Sequence, residues 1–195
     1  MKVADQASNP FKNLEKTIGI KFKNEELLKM AFVHRSYVNE HRGEVQAHNE
    51  RLEFLGDAVL ELVTTEFLYG AFPEMGEGKL TTFRSALVKG KHLSEVAKTL
   101  ELGTYLFLSH GEEKSGGREK SFILANTLEA LIGAVYLDHG FAPTHKFISR
   151  FILTNLGDKP EDIDKAKTLG ALDYLVKAQI SLKDLSERVK KEVGL

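Results

Sequence analysis

The sequence predicts an all-α fold, and two observations carry that prediction. Apolar residues recur at three- and four-residue intervals over most of the chain, the period of a helix packed on one side. The 195 residues include only four prolines, and β-branched residues gather only in short runs, so few positions oppose helix formation.

Taken in order, Asn9-Pro10 starts a first short helix, because proline fits the first helical turn. Asn24, followed by Glu25 and Glu26, reads as an N-cap with acidic first-turn residues, opening a helix that runs to about Val33. Residues 34–47, "HRSYVNEHRGEVQA", are polar and predict a loop. A long helix runs from about Asn49 to Tyr69 and stops near Pro73. Two further helices fit residues 77–88 and 92–102. Residues 109–121, "SHGEEKSGGREKS", are charged and glycine-rich, which predicts a mobile loop; an apolar helix follows from about Phe122 to Leu137. After residue 157 the character changes. Gly157 and Pro160 mark a boundary, so residues 1–156 are expected to form one domain and 157–195 a charged, amphipathic helical tail.

Composition narrows the function. With 42% hydrophobic residues the chain supports one well-formed core. The absence of cysteine removes disulfides, thiolate metal sites and thiol nucleophiles, and fits a reducing, cytoplasmic location. No apolar run approaches the roughly 20 residues needed to cross a bilayer, and the N-terminus lacks the apolar stretch of a signal peptide, so no membrane partner is expected. A formal net charge of -1 argues against a globally basic nucleic-acid binder. That argument lapses if carboxylates are gathered to hold a divalent cation, because lysines and arginines then remain for phosphates.

The stretch "HNERLEFLGDAVLELV", residues 48–63, has that character. At about 100° per residue, Glu50, Glu53 and Asp57 fall within an arc of roughly 60°. Leu52, Leu55, Val59, Leu62 and Val63 take the opposite side, as core. A solvated polar face is the ordinary reading of such an arc. Against it, Phe54 and Leu60 border the acids and no lysine or arginine lies among them. Gly56 weakens the helix by roughly 1 kcal/mol relative to alanine, which suggests a closely approaching neighbour. In "NTLEALIG", Asn126 and Glu129 lie three apart on a second, strongly apolar helix. Together the two helices offer Glu53, Asp57, Asn126 and Glu129 to a hard cation, and oxygen-only ligation suits Mg²⁺ or Mn²⁺ better than Zn²⁺.

These residues also carry a resemblance. "HNERLEFLGDAVLELV" resembles the signature of the ribonuclease III family of double-stranded-RNA endonucleases. "AFVHRSY" (31–37), "EGKLTTFRSALV" (77–88), "GEEKSGGREKSFILAN" (111–126) and "LEALIGAVYLDHG" (128–140) are similar to the family's other blocks, in the same order. The resemblance covers about residues 11–153. It implies an all-helical endonuclease domain working as a homodimer, with Glu53, Asn126 and Glu129 as metal ligands and Asp57 and Glu129 as catalytic acids. It makes Glu50 and Glu77 supporting acids and Phe54 an aromatic that inserts into the partner subunit. The implied reaction is Mg²⁺-dependent cleavage of duplex RNA, with Mn²⁺ as a substitute, leaving 5′-phosphate and 3′-hydroxyl ends. Precursors of ribosomal, messenger and transfer RNA are the implied substrates, and no small-molecule cofactor is expected. Lys114, Arg118 and Lys120 in the glycine-rich loop, with Lys79 and Arg84, are the candidate phosphate contacts. His34 and His48 match family positions, with a structural role equally open.

Two departures from the family stand out. Asn126 occupies a position where the family usually has Asp; an amide oxygen still ligates Mg²⁺ but brings no charge. The segment after Gly157 is too short and too helical for the double-stranded-RNA-binding domain that bacterial-type members usually carry, so lower, more salt-sensitive RNA affinity is expected. The alternative function is a weak or inactive relative that binds RNA or the ribosome. A helical interaction protein with an incidental acidic face leaves five ordered motif blocks unexplained. Zinc and di-iron enzymes are disfavoured because H-E-x-x-H and E-x-x-H are absent, and "GEGKLT" is too short for a phosphate-binding loop.

Overall fold

The computed structural model describes residues 10–43 and 47–153. Asn9, the boundary at Gly157 and the tail expected over 157–195 lie outside the described residues. Nine α-helices occur among the described residues: α1 (Lys12–Ile18), α2 (Glu25–Ala31), α3 (Arg35–Glu40), α4 (Glu50–Ala71), α5 (Glu77–Leu87), α6 (Gly90–Thr99), α7 (His110–Lys114), α8 (Ser121–His139) and α9 (Phe141–Ile148). Single turns of 3-10 helix at Leu102–Tyr105 and Gly117–Glu119, and a π turn at Ser149–Leu153, complete them. Extended pairing among these residues is limited to one parallel bridge, Val33 to Phe107.

The architecture is organised around α8. Ile123, Leu124, Leu128, Leu131, Ile132 and Val135 are buried, and α2, α4, α6 and α9 pack around them. With 19 residues, α8 is long and apolar enough to cross a bilayer by length and composition, contrary to the expectation that no run approaches that size. Most of it is covered by protein, and an apolar surface on all sides is what a helix inside a core requires.

Helix starts follow the sequence. Asn24 caps α2, its side chain accepting from the Leu27 N–H at 3.1 Å. The preceding turn is tied to the end of α8, because the N–H groups of Lys23 and Asn24 donate to the Asp138 carboxylate at 2.8 and 3.1 Å. α4 begins one residue after Asn49, which is 3% exposed; its amide donates to the Ala31 carbonyl at 3.3 Å and its backbone N–H to Val33 at 2.9 Å. The α2–α3 connection is thereby fastened to the start of α4.

Two segments expected as loops are more ordered than that. Within residues 34–47, α3 forms because His34 caps it, Nδ1 accepting from the Ser36 N–H at 3.3 Å. Tyr37 stacks on His41 with centroids 4.0 Å apart and meets the edge of Phe107. Residues 109–121 are a folded clasp rather than a mobile loop. Ser109 caps α7 by accepting from the Glu112 N–H at 3.1 Å. Lys120 Nζ reaches Glu112 at 2.5 Å, and Arg118 reaches both oxygens of Glu113 at 2.7 and 3.1 Å. Gly116 takes φ +78°, and a side chain at buried Gly117 would press on Glu112.

Candidate active site

The acidic site is built where α4 crosses α8. At the crossing, a Cβ on Gly56 would overlap the Glu129 carbonyl oxygen, and one on Gly133 would overlap the Leu52 carbonyl oxygen. Two glycines therefore let the backbones touch, which brings the acids of α4 to those of α8. Gly56 has the close neighbour that its position in the sequence suggested. Gly133 follows Glu129 by one helical turn and closes "NTLEALIG", the stretch to which the same reasoning extends.

Electrostatics tie the cluster together. Burial, followed by the charges of Asp57 and Glu53, pushes the Glu129 carboxyl up to about 7. Glu53 is raised by burial and then by Glu50 and Asp57, while a hydrogen bond from the Asn126 side chain works the other way. That bond assigns the amide nitrogen to Glu53 and leaves the amide oxygen as the available ligand. Asp57 is exposed on the same face. Glu50 differs: Arg35 Nη1 lies 3.4 Å from it and His48 Nδ1 3.8 Å, so the acidic face does have a basic neighbour. Both come from segments that precede the helix, where helical spacing within α4 does not reveal them. Glu77 opens α5, is exposed, and is not among the charges that perturb Glu53 or Glu129.

Glu53, Asp57 and Glu129 repel one another, and their donors are all oxygen, as Asn126's is. This fits a hard divalent cation, whose charge would relieve the repulsion. Among the described residues no three Asp, Glu or His side chains converge into a ready-made cage. A cation there would complete its shell with water and substrate oxygens, as Mg²⁺ commonly does.

The repulsion has a measurable consequence without metal. Glu129's folded value of about 7 lies above its ordinary 4.5, so its contribution to stability is complete below about 4.5 and is lost as pH rises through 7. Glu53 acts in the same direction, whereas Glu112 and Glu113, lowered by Lys120 and Arg118, act in the opposite one. The expected result is that Glu129→Gln, melted in chelator alongside wild type, gains relative stability as pH rises from 4.5 to 7. Parallel curves would remove the assigned strain.

A cavity of about 180 Å³ adjoins the cluster; besides Glu50, Glu53 and Asn126, its wall includes His34, Arg35 and Phe122. Phe122 was read only as a helix start, though it precedes Asn126 by four residues and so shares its face. Phe54 is 79% exposed, and Leu62 and Tyr69 continue its stripe along α4 at spacings of eight and seven. Leu62, expected in the core, is 56% exposed, because the buried face centres on Leu52, Gly56, Val59 and Val63.

The basic residues divide. Lys114 is exposed, as is Lys79 on α5. Arg84 donates to the Thr65 hydroxyl at 3.1 Å. Arg118 and Lys120, expected as phosphate contacts, are committed to the clasp instead. Besides Glu113, Arg118 Nη1 donates to the carbonyls of Gly103 and Leu106, both at 2.9 Å. Arg118→Ala is therefore expected to lower the melting temperature by roughly 5 °C, with RNA affinity per folded molecule unchanged. A filter-binding assay showing lost affinity at unchanged stability would restore the phosphate role.

Comparison with known proteins bears on the family and the fold. A family model described as Ribonuclease-III-like matches residues 24–156. Ribonuclease 3 of Listeria monocytogenes serovar 1/2a is 44% identical over 171 residues, covering 88% of this chain and 72% of that protein. Ribonuclease 3 of Bacillus velezensis is 46% identical over 148 residues, covering 76% and 59%. A crystal structure of the nuclease domain of ribonuclease III from Campylobacter jejuni matches with a TM-score of 0.70 at 39% identity, covering 77% of this chain and 98% of that one. A second structure of that domain, concerned with flexibility in a region involved in its dimer formation, matches at TM-score 0.69 and 41% identity, covering 74% and 97%.

Proposed function

The chain belongs to the ribonuclease III family of endoribonucleases, and from that premise we propose that it cuts double-stranded RNA with Mg²⁺ at the α4–α8 crossing. The observation that carries the reading is the mutual repulsion of Glu53, Asp57 and Glu129, three half-buried or exposed acids that share no basic partner among the described residues. Glu53, Asn126 and Glu129 would hold the cation, with Mn²⁺ able to replace it, and Asp57 and Glu129 act on the reacting water. When bound, Mg²⁺ supplies a Lewis acid that lowers the pKa of water and offsets the charge of the scissile phosphate. Asp57, exposed and close enough for its charge to raise Glu129, would orient that water. Glu50 keeps Arg35 beside the site, and Glu77 is an outlying acid. Lys79, Arg84 and Lys114 bring positive charge for phosphates. The products carry 5′-phosphate and 3′-hydroxyl ends.

Substrate is read by shape, since the deep major groove of A-form RNA hides its base edges. Cutting both strands calls for two sites, and the exposed stripe of Phe54, Leu62 and Tyr69 supports a homodimer formed through α4. Structured precursor RNAs in the cytoplasm fit such an enzyme.

The test is cleavage of a long labelled duplex with Mg²⁺, with Mn²⁺ and with chelator, alongside Asn126→Asp. Metal-dependent fragments with the stated ends are expected. The added carboxylate is expected to speed cleavage and to increase the thermal stabilisation that Mn²⁺ confers. Cleavage that persists in chelator would overturn the metal assignment, and absence of cleavage with binding intact would favour an RNA-binding relative.

A further inference from the structure

The cavity beside the acidic cluster contains groups that metal binding does not use. His34 lines it, and a chain of hydrogen bonds fixes that ring's tautomer. The Ser109 N–H donates to Ser36 Oγ at 3.1 Å, and Ser36 Oγ lies 2.8 Å from His34 Nδ1. The Ser36 backbone N–H also donates to Nδ1, at 3.3 Å. With Nδ1 accepting, the proton of the neutral ring sits on Nε2. Burial lowers the basicity of His34, which favours that neutral form.

Phe122 supplies the opposite chemistry. Its ring lines the cavity yet is 62% exposed, although it opens the most apolar helix of the fold. The cavity's 180 Å³ is several times the space of one water. A histidine, a phenylalanine and an arginine, the last paired with Glu50, share this one cavity wall, a set that matches a sugar–phosphate unit. The donor suits a hydroxyl, the ring suits the C–H face of the sugar, and the guanidinium suits the adjoining phosphate.

Resting on the nuclease reading above, we propose that this cavity is a ribose subsite in which His34 Nε2–H donates to a 2′-hydroxyl and Phe122 packs on the sugar. The two residues thereby select RNA over DNA at a nucleotide beside the cleaved bond. A deoxyribose there leaves the His34 donor unpaired, and loss of a partner for a built-in donor is how a polar site rejects an analogue.

The experiment walks a single 2′-deoxy substitution through the cleavage region of a synthetic RNA duplex, measuring both cleavage rate and affinity for the full chain. Wild type is expected to lose about five- to tenfold at one position. His34→Ala slows on all-RNA duplex by a similar factor and no longer responds to the deoxy sugar at that position, the non-additive pattern of a direct contact. His34→Gln, whose amide retains a donor, keeps part of the discrimination. Phe122→Ala, at an exposed position where folding is not at risk, weakens RNA binding. If His34→Ala cuts all-RNA duplex yet keeps the full deoxy penalty, the subsite is wrong and the nuclease stands. If wild type binds duplex without cutting, the same pattern read by affinity supports the subsite while the nuclease reading fails. A Phe122→Ala variant that binds RNA normally but dissociates as a dimer assigns the cavity to the partner subunit and overturns the proposal.

Discussion

Asp57→Asn and Glu129→Gln each lower duplex cleavage by at least about 10²–10³-fold, the scale set by removing one charged group from a preorganised site. Both leave the dimer and the helical content unchanged, because neither side chain is part of the packed core. The same variants are expected to melt higher than wild type in chelator. The charge of Asp57 helps raise Glu129 to about 7, so removing either carboxylate relieves repulsion that the metal-free fold has to tolerate. Loss of activity with gain of stability is the signature of groups arranged for chemistry rather than for folding. Single-turnover cleavage, sedimentation and melting curves on one preparation decide it. A variant that keeps a tenth of wild-type activity would remove that residue from the reaction, and one that melts lower would mean that the carboxylate is a structural partner.

The helices that build this site were readable from sequence because each carries its own local signals. α4 has Asn49 before it, Pro73 after it and an acidic arc between, and α8 is apolar around most of its circumference. What escaped depends on partners distant in the chain. Arg35 neutralises Glu50 from a different helix, so spacing within α4 left that acid apparently unpaired. The clasp at 109–121 looks like a solvated loop in composition, yet its opposite charges find one another five and eight residues apart, and Arg118 reaches back to the carbonyls of Gly103 and Leu106. α3 is too short for periodicity to reveal; the His34 cap and the Tyr37–His41 stack hold it. Leu62 was misplaced for a different reason. Hydrophobicity alone puts it in the core, whereas the buried face is set by where α8 touches, and that contact is at Gly56.

That contact makes Gly56→Ala the most damaging small substitution expected in the fold. Alanine would gain about 1 kcal/mol in helix propensity, so an open position would tolerate it and even benefit. Here the added Cβ would overlap the Glu129 carbonyl oxygen and crowd the Gly133 backbone N–H, 2.9 Å away. Neither is the tip of a side chain that can swing aside, and relief requires α4 and α8 to part. Overpacking of this kind costs about 3 kcal/mol, which outweighs the propensity gain by about 2 kcal/mol and lowers the melting temperature by about 4–8 °C. The functional loss should exceed the loss of folded protein, because parting the helices separates Glu53 and Asp57 from Asn126 and Glu129. Cleavage measured well below the variant's melting temperature separates the two effects. Activity per folded molecule equal to wild type would show that the cluster tolerates a wider crossing, and an unchanged melting temperature would show that the backbones do not touch.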